Sequence, residues 1–433
     1  MESIPAHSGL PRGVADYLPA RAATITKIEQ QLLRVAAQWG FQRIIPPALE
    51  LEEVLAGGMG EGLRSRTFRF DDWQSGRMLA IPPDITPQIA RIVATRLRDR
   101  PLPHRICYSG RVLRHAELQS GRSREILQAG VELIGLDSPE ADAEMVAMAV
   151  EVMQGLGVAE FTVDLGQVAF CRGVFQACGL SGEPLQQLKQ AVARKDASAV
   201  AALLAVHPVP EQSRRELLAL PRLFGGREVL EDALRVVKNQ QSCQALHNLH
   251  EVVAILELHG VTGHLTFDLG ETRGLDYHTG LTFEGFAPGV GEALFSGGRY
   301  DDLTARYGLP APATGFTCNV LPLLQALELA VQSTGEPCRD ILLFNRRDDR
   351  QEVLAIAKAL RQQGFSVARD IIRRDFDDSV AYARQSGIRC MLVIDRPEQG
   401  CLLVRSSDTQ QSTITREQLL QDGFLRQHDL FQE

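Results

Sequence analysis

One stretch constrains the fold more than any other. Residues 105–135, RICYSGRVLRHAELQSGRSREILQAGVELIG, read as two strands around a charged loop that holds Arg114, Arg122 and Arg124. Successive side chains of a strand point to opposite faces. Leu127, Ala129, Val131 and Leu133 therefore share one face, which is core. Ile126, Gln128, Gly130, Glu132 and Ile134 share the other, an amide and a carboxylate with a glycine between them that leaves room. Polar groups placed there need partners, from the protein or from a ligand. Arg114 ends the first strand on the face of Tyr108, where its guanidinium can grip a phosphate or carboxylate bidentately. The competing reading is an internal salt bridge of Glu132 with Arg114 or Arg273 and no ligand.

A second polar segment shifts that balance. In ETRGLDYHTG, a regular strand puts Arg273, Leu275, Tyr277 and Thr279 on one face, with Asp276 and His278 on the other. PPDITPQ adds Asp84 and Thr86 at a helix start, where backbone N–H groups point outward. An amino-acid ligand needs an anion for its ammonium group and a cation or N–H donor for its carboxylate. Asp84, Glu132, Arg114 and Arg273 supply both. His278 alone reads as a satisfied hydrogen-bonding residue. SGGRYDDL reads as a tight turn, since it lacks the strand–glycine–helix pattern of a phosphate loop.

The 433 residues suffice for two or three domains. A net charge of −8 leaves no global basic surface, so nucleic-acid binding would need a local patch. The eight cysteines are scattered without a CxxC pair, which argues against a zinc site or disulfide framework and suits a reducing compartment. The opening residues lack the apolar core of an export signal, and no run reaches the length of a membrane span. A cytoplasmic protein without metal or cofactor is expected.

Periodicity predicts an amphipathic helix through Ile25, Ile28, Leu32, Val35 and Trp39, ended by Gly40. It predicts a hairpin turned at DWQSG and a helix from DITPQIARIVATRL with Thr86 as cap and Pro87 in first position. A further helix runs from SPEADAEM to a glycine stop. Residues 171–258 turn rich in Leu, Ala, Gln and Lys and read as a helical insertion. GLDYHTGLTFEGF reads as a strand and GFTCNVLPLLQALELAVQ as a helix. Beyond a linker at 332–337, strands alternate with helices, as in a small α/β domain with a largely parallel sheet.

The chain resembles histidyl-tRNA synthetase, a class II synthetase, over roughly its whole length. Gly40, Phe41, Ile44 and Pro47 match the first class II motif, which builds a dimer interface. RVLRHAELQSGRSREILQAGVELIG is similar to the second, a nucleotide-binding hairpin, and RGLDYHTG and SGGRYDDL to signatures of the histidine enzyme. The resemblance implies an α+β fold, an antiparallel sheet core with flanking helices. The core would span 1–170 and 259–331, with the insertion at 171–258 and a domain like an anticodon-binding domain at 338–433.

Departures from the family pattern are concentrated on the ATP side. The third motif has a glutamate–arginine pair opening a helix, and that arginine contacts ATP phosphates. Leu321 and Pro322 stand there instead. Ala116 replaces the second-motif glutamate, and Pro82 stands where the synthetase typically has arginine. Adenylate formation needs the phosphate charge offset, and losing one such donor typically costs orders of magnitude in rate. The amino-acid side is kept: Asp84, Thr86, Arg114, Gln128, Glu132, Arg273 and Tyr277 are the expected histidine-binding residues. DITPQIAR and QAGVELIG resemble the paralogous family, the regulatory subunits of ATP phosphoribosyltransferase in histidine biosynthesis. That implies no catalysis, a short-form catalytic subunit as partner, L-histidine as effector and a homodimer within a hetero-oligomer. Nucleic-acid binding is not expected. The alternative is a working histidyl-tRNA synthetase with unusual ATP contacts.

Overall fold

The computed structural model describes residues 9–115, 123–272, 275, 277–330, 339–346, 350–372, 374–395, 400–429 and 431. The chain divides into two compact units that part between residues 332 and 333, with residues 18–23 grouped with the second.

The larger unit is organised on a nine-stranded sheet. In spatial order its strands are Gln42–Arg43, His104–Leu113, Glu125–Ile134, Ala313–Asn319, Phe295–Arg299, Leu281–Phe286, Thr162–Gln167, Leu265–Asp268 and Phe224–Gly225. Pairing is antiparallel except where Gln42–Arg43 meets His104–Leu113 and where Thr162–Gln167 meets Leu265–Asp268. The alternation in the hairpin is realised. Leu127, Ala129, Val131 and Leu133 join one core cluster with Ile25, Ile28, Leu32 and Val35 of helix Pro19–Gln38 and with helix Pro139–Leu156. Ile126 and Ile134 face a second cluster with Ile85, Ile89 and Val93 of the Thr86–Arg96 region. Buried on both sides, this strand is the spine of the unit.

Local signals place the helices. Ser138 accepts from the Ala141 amide, Pro139 opens the helix, and Gly157 closes it at φ +81°, a left-handed conformation that glycine adopts without strain. Between strands Thr162–Gln167 and Leu265–Asp268 the chain is dominated by helices, among them Val168–Ala177, Glu228–Val236 and the long Gln240–Leu258. No helix among the described residues is long and apolar enough to cross a membrane.

Three local expectations are corrected. GFTCN is strand, not helix, because it pairs along its whole length with Glu125–Ile134, and the helix begins only at Val320. The described residues of GLDYHTG, Leu275 and 277–280, are not strand: pairing starts at Leu281, and His278 is not turned away from Tyr277. Thr86 is not a cap. Its hydroxyl donates to Glu132 at 2.7 Å, so a buried carboxylate outcompetes the helix end for it.

The smaller unit holds a five-stranded sheet in the order Val367–Arg369, Arg339–Asn345, Ile388–Ile394, Cys401–Arg405, Gln411–Ile414. The first three are parallel, but the last two add antiparallel pairs, so the sheet is mixed rather than largely parallel. Helix Arg350–Gln362 packs on one face and Phe376–Gln385 on the other.

Candidate functional site

Strand register brings the polar residues of the hairpin together. Glu132 stands opposite Ile106 and Gly315, Gly130 opposite Tyr108 and Thr317, and Gln128 opposite Gly110 and Asn319. The glycines make the room. A Cβ on Gly130 would lie 2.6 Å from the Tyr108 hydroxyl, and one on Gly315 would lie 2.0 Å from the Glu132 carboxylate and 2.4 Å from the Val131 carbonyl. Over this patch lies a cavity of about 270 Å³, lined by Asp84, Thr86, Arg114, Gln128, Glu132 and Tyr277 among others. That is a little below the usual range for drug-sized ligands and suits a molecule of amino-acid size.

Glu132 sits at its floor, 1 % exposed. One carboxylate oxygen accepts from Thr86 Oγ1 at 2.7 Å and from the Tyr108 hydroxyl at 3.1 Å, and the other from the Tyr300 hydroxyl. Burial pushes its pKa well above the ordinary carboxylate value, the Thr86 hydroxyl opposes the rise, and the Asp84 carboxylate adds to it. Tyr108 also meets Thr317 Oγ1 at 2.7 Å. Burial raises the pKa values of the Tyr108 and Tyr277 phenols, which keeps both protonated.

Asp84 forms the cavity's second carboxylate. It accepts from its own Thr86 amide at 3.2 Å and from Arg114 Nη2 at 3.1 Å, while Arg114 Nε donates to the Pro83 carbonyl at 2.6 Å. The salt bridge considered between Arg114 and Glu132 does not form: Arg114 secures the Asp84 turn, and hydroxyls serve Glu132. Gln128 Oε1 accepts from the Ile85 amide at 3.3 Å, tying the same turn to the strand. Arg273, Ala116 and Arg122 lie outside the described residues.

Tyr300 and Thr317 were not anticipated. Sequence reading takes SGGR as part of a tight turn, but it is strand, paired with residues 314–317, and Tyr300 directly follows its end; Thr317 is hidden in a segment whose period reads as helix. His278 also lines the cavity. Its Nδ1 meets the Arg299 carbonyl at 3.3 Å, and burial pushes its pKa down to about 4, so the ring is uncharged at neutral pH. A smaller cavity of about 160 Å³ adjoins through His278, Ser296 and Gly297 and carries Asp164, Asp268, Glu271 and Glu284. Lys195 pairs with Asp268 there. Among the described residues no group of three or more His, Cys, Asp and Glu side chains is placed to hold a metal ion.

Leu321 and Pro322 fall in the first turn of helix Val320–Ala330, beside the strand that carries Thr317 and Asn319. Neither can offset a phosphate charge. Gly315→Ala tests how tightly the floor is built. Its methyl group meets backbone that cannot yield, so the variant is expected to lose about 1–3 kcal/mol of stability in urea titration and to lose ligand binding in calorimetry.

Residues 13–323 match the family model of histidyl-tRNA synthetase, which places the sheet, hairpin and cavity in the class II histidyl-tRNA synthetase-like proteins. A solved histidyl-tRNA synthetase from Nostoc sp. PCC 7120 shares this fold with TM-score 0.82 at 21% identity, covering 97% of this chain and 99% of that one. The ATP phosphoribosyltransferase regulatory subunit of Geobacter sulfurreducens is 58% identical over 423 residues, 97% of each chain. A solved chain from Bacillus halodurans, described as an ATP phosphoribosyltransferase regulatory subunit/histidyl-tRNA synthetase, is 29% identical with TM-score 0.78, covering 90% of this chain and 99% of that one. The chain belongs to the family of ATP phosphoribosyltransferase regulatory subunits.

Proposed function

We propose that this chain is the non-catalytic regulatory subunit of an ATP phosphoribosyltransferase in histidine biosynthesis, and that its sheet-floor cavity binds L-histidine as the feedback effector. The observation that carries this reading is a cavity furnished with amino-acid-binding groups in a chain that lacks the nucleotide-binding arginine. In the cavity, Glu132, Thr86, Tyr108 and Gln128 are hydrogen-bonded in place. In the first turn of helix Val320–Ala330 stand Leu321 and Pro322, where a synthetase needs a phosphate-binding arginine. A pocket that holds an amino acid without activating it suits a sensor, because a ligand shifts an equilibrium only by its differential affinity for two states.

Asp84, Thr86, Arg114, Gln128, Glu132, Arg273 and Tyr277 form the histidine site in this reading. Asp84 receives the ammonium group and Glu132 the imidazole ring. Arg114 acts by fixing the Asp84 turn rather than by touching the ligand. The protein works in the cytoplasm as a homodimer inside a hetero-oligomer with the short-form catalytic subunit. The core spans 1–170 and 259–331, the insertion 171–258, and 338–433 descends from an anticodon-binding domain without a nucleic-acid role.

The test mixes the purified chain with the catalytic subunit and measures phosphoribosyl-ATP formation with and without histidine. Activity is expected to rise on mixing and to fall with histidine, while the chain alone gives no histidine-dependent ATP–pyrophosphate exchange. No association and no change in activity would sink the regulatory reading. Robust exchange would establish a synthetase instead.

A further inference from the structure

We propose that the empty cavity stores a proton on Glu132 and that this proton is given up when a cationic imidazole ring settles beside the carboxylate. The inference rests on the reading of the cavity as a histidine site and adds a proton linkage to it.

The charges facing Glu132 make the case. From the turn before helix Thr86–Arg96 comes the Asp84 carboxylate, lining the same cavity. From strand His104–Leu113 comes the Tyr108 phenol, with Arg114 following its end. Arg114 is already engaged, with Asp84 at 3.1 Å and the Pro83 carbonyl at 2.6 Å. The segment before strand Leu281–Phe286 contributes Tyr277 and His278, the latter uncharged because burial depresses its pKa to about 4. Tyr300 and Thr317 supply hydroxyls, and Gln128 and Asn319 supply amides. Among the described lining residues, two carboxylates therefore share one cation, and that cation is clipped to Asp84. Like charges in one low-dielectric site cannot both ionise at ordinary cost, and of the two it is Glu132 whose described partners are all uncharged hydroxyls.

The hydrogen-bond network accommodates the extra proton. Tyr108 and Thr317 meet at 2.7 Å with either oxygen able to donate. When Glu132 is ionised, Tyr108 donates to it. When Glu132 is protonated, its O–H donates to Tyr108, and Tyr108 donates on to Thr317. Thr86 and Tyr300 keep donating in both states. No heavy atom has to move. Burial, the largest cause of the raised Glu132 pKa, points the same way.

An arriving imidazolium brings a positive charge against the carboxylate. Above the ring's own pKa of about 6.5 the free ligand is neutral, and the Glu132 proton passes to it. Below that value the ligand already carries its proton, and the Glu132 proton leaves for solvent.

Two measurements on the full chain test this. Calorimetry of histidine binding at pH 5.5, in buffers of different ionisation enthalpy, is expected to show release of close to one proton per histidine. NMR of ¹⁵N-labelled histidine is expected to show both ring nitrogens protonated in the complex at a pH where the free ring is neutral. Absence of proton release would mean that Glu132 is ionised before binding and would overturn the inference. A neutral bound ring would overturn it too, by removing the handoff. Failure to detect any histidine binding would remove the histidine reading itself, and that outcome is separate from both of the others.

Discussion

Arg299→Met is expected to destabilise the larger unit by about 3–5 kcal/mol, the cost typical of removing one partner of a buried ion pair. Arg299 is 6 % exposed and Asp142 only 1 %. The guanidinium meets Asp142 at 3.0 Å, Asp301 at 3.1 Å, and the Leu136 and Ser138 carbonyls at 3.3 Å each. It thereby locks the end of the hairpin, the cap of helix Pro139–Leu156 and the turn after strand Phe295–Arg299 around one point. Without it, Asp142 is a buried carboxylate with no counterion, and burial already raises its pKa. Urea unfolding of the single variant measures the loss. Arg299→Met combined with Asp142→Leu should recover much of it, since removing both charges removes the stranded one as well. If the double variant is no better than the single, the damage is lost packing rather than the unpaired acid. Tyr300 adjoins Arg299 in sequence and bonds Glu132, so the single variant should also weaken ligand binding.

The same cluster shows where sequence reading stops. Gln128 and Glu132 were legible as cavity residues because a strand has a strict two-residue period, and a polar side chain on a buried strand is an anomaly that local pattern exposes. Their partners were legible only in part. Thr86 looks like a cap from its neighbours, since nothing local announces a carboxylate 46 residues further along the chain. Tyr300 is 168 residues from Glu132, and its contact exists only because the strand it follows, Phe295–Arg299, is separated in the sheet from the strand of Glu132 by Ala313–Asn319 alone. GFTCN was misread for the opposite reason. Its apolar run continues unbroken into a true helix, and a short buried strand has no period to set it apart. Arg114 was placed at the site from the sequence, but its role changed. A guanidinium that can grip a ligand can equally grip the Asp84 turn, and only geometry chooses between them.

Glu132→Gln is expected to weaken histidine binding by one to two orders of magnitude in calorimetry, about 1.4–3 kcal/mol, the scale of a hydrogen bond to a charged group. The amide matches the carboxylate in shape but cannot become an anion beside an imidazolium. It also turns an N–H₂ group toward hydroxyls that now donate, so Thr86, Tyr108 or Tyr300 must reorient. Unchanged affinity would place the effector elsewhere, whatever the complex does. The empty protein should respond in the opposite sense. A carboxyl whose pKa is raised in the folded state binds more protons folded than unfolded, so it favours folding below the unfolded value near 4.5. As pH rises above that value toward the folded pKa, this contribution is lost, and the wild-type chain pays to hold Glu132 uncharged or to ionise it unpaired. Glutamine carries no such penalty. The variant should therefore gain in Tm relative to wild type as pH is raised from the acid range toward neutrality, with the gap closing toward pH 4. A gap independent of pH would mean that Glu132 ionises as freely in the fold as in the open chain. Weaker binding together with a more stable apo protein at neutral pH is the signature of a residue kept for its ligand and not for the fold.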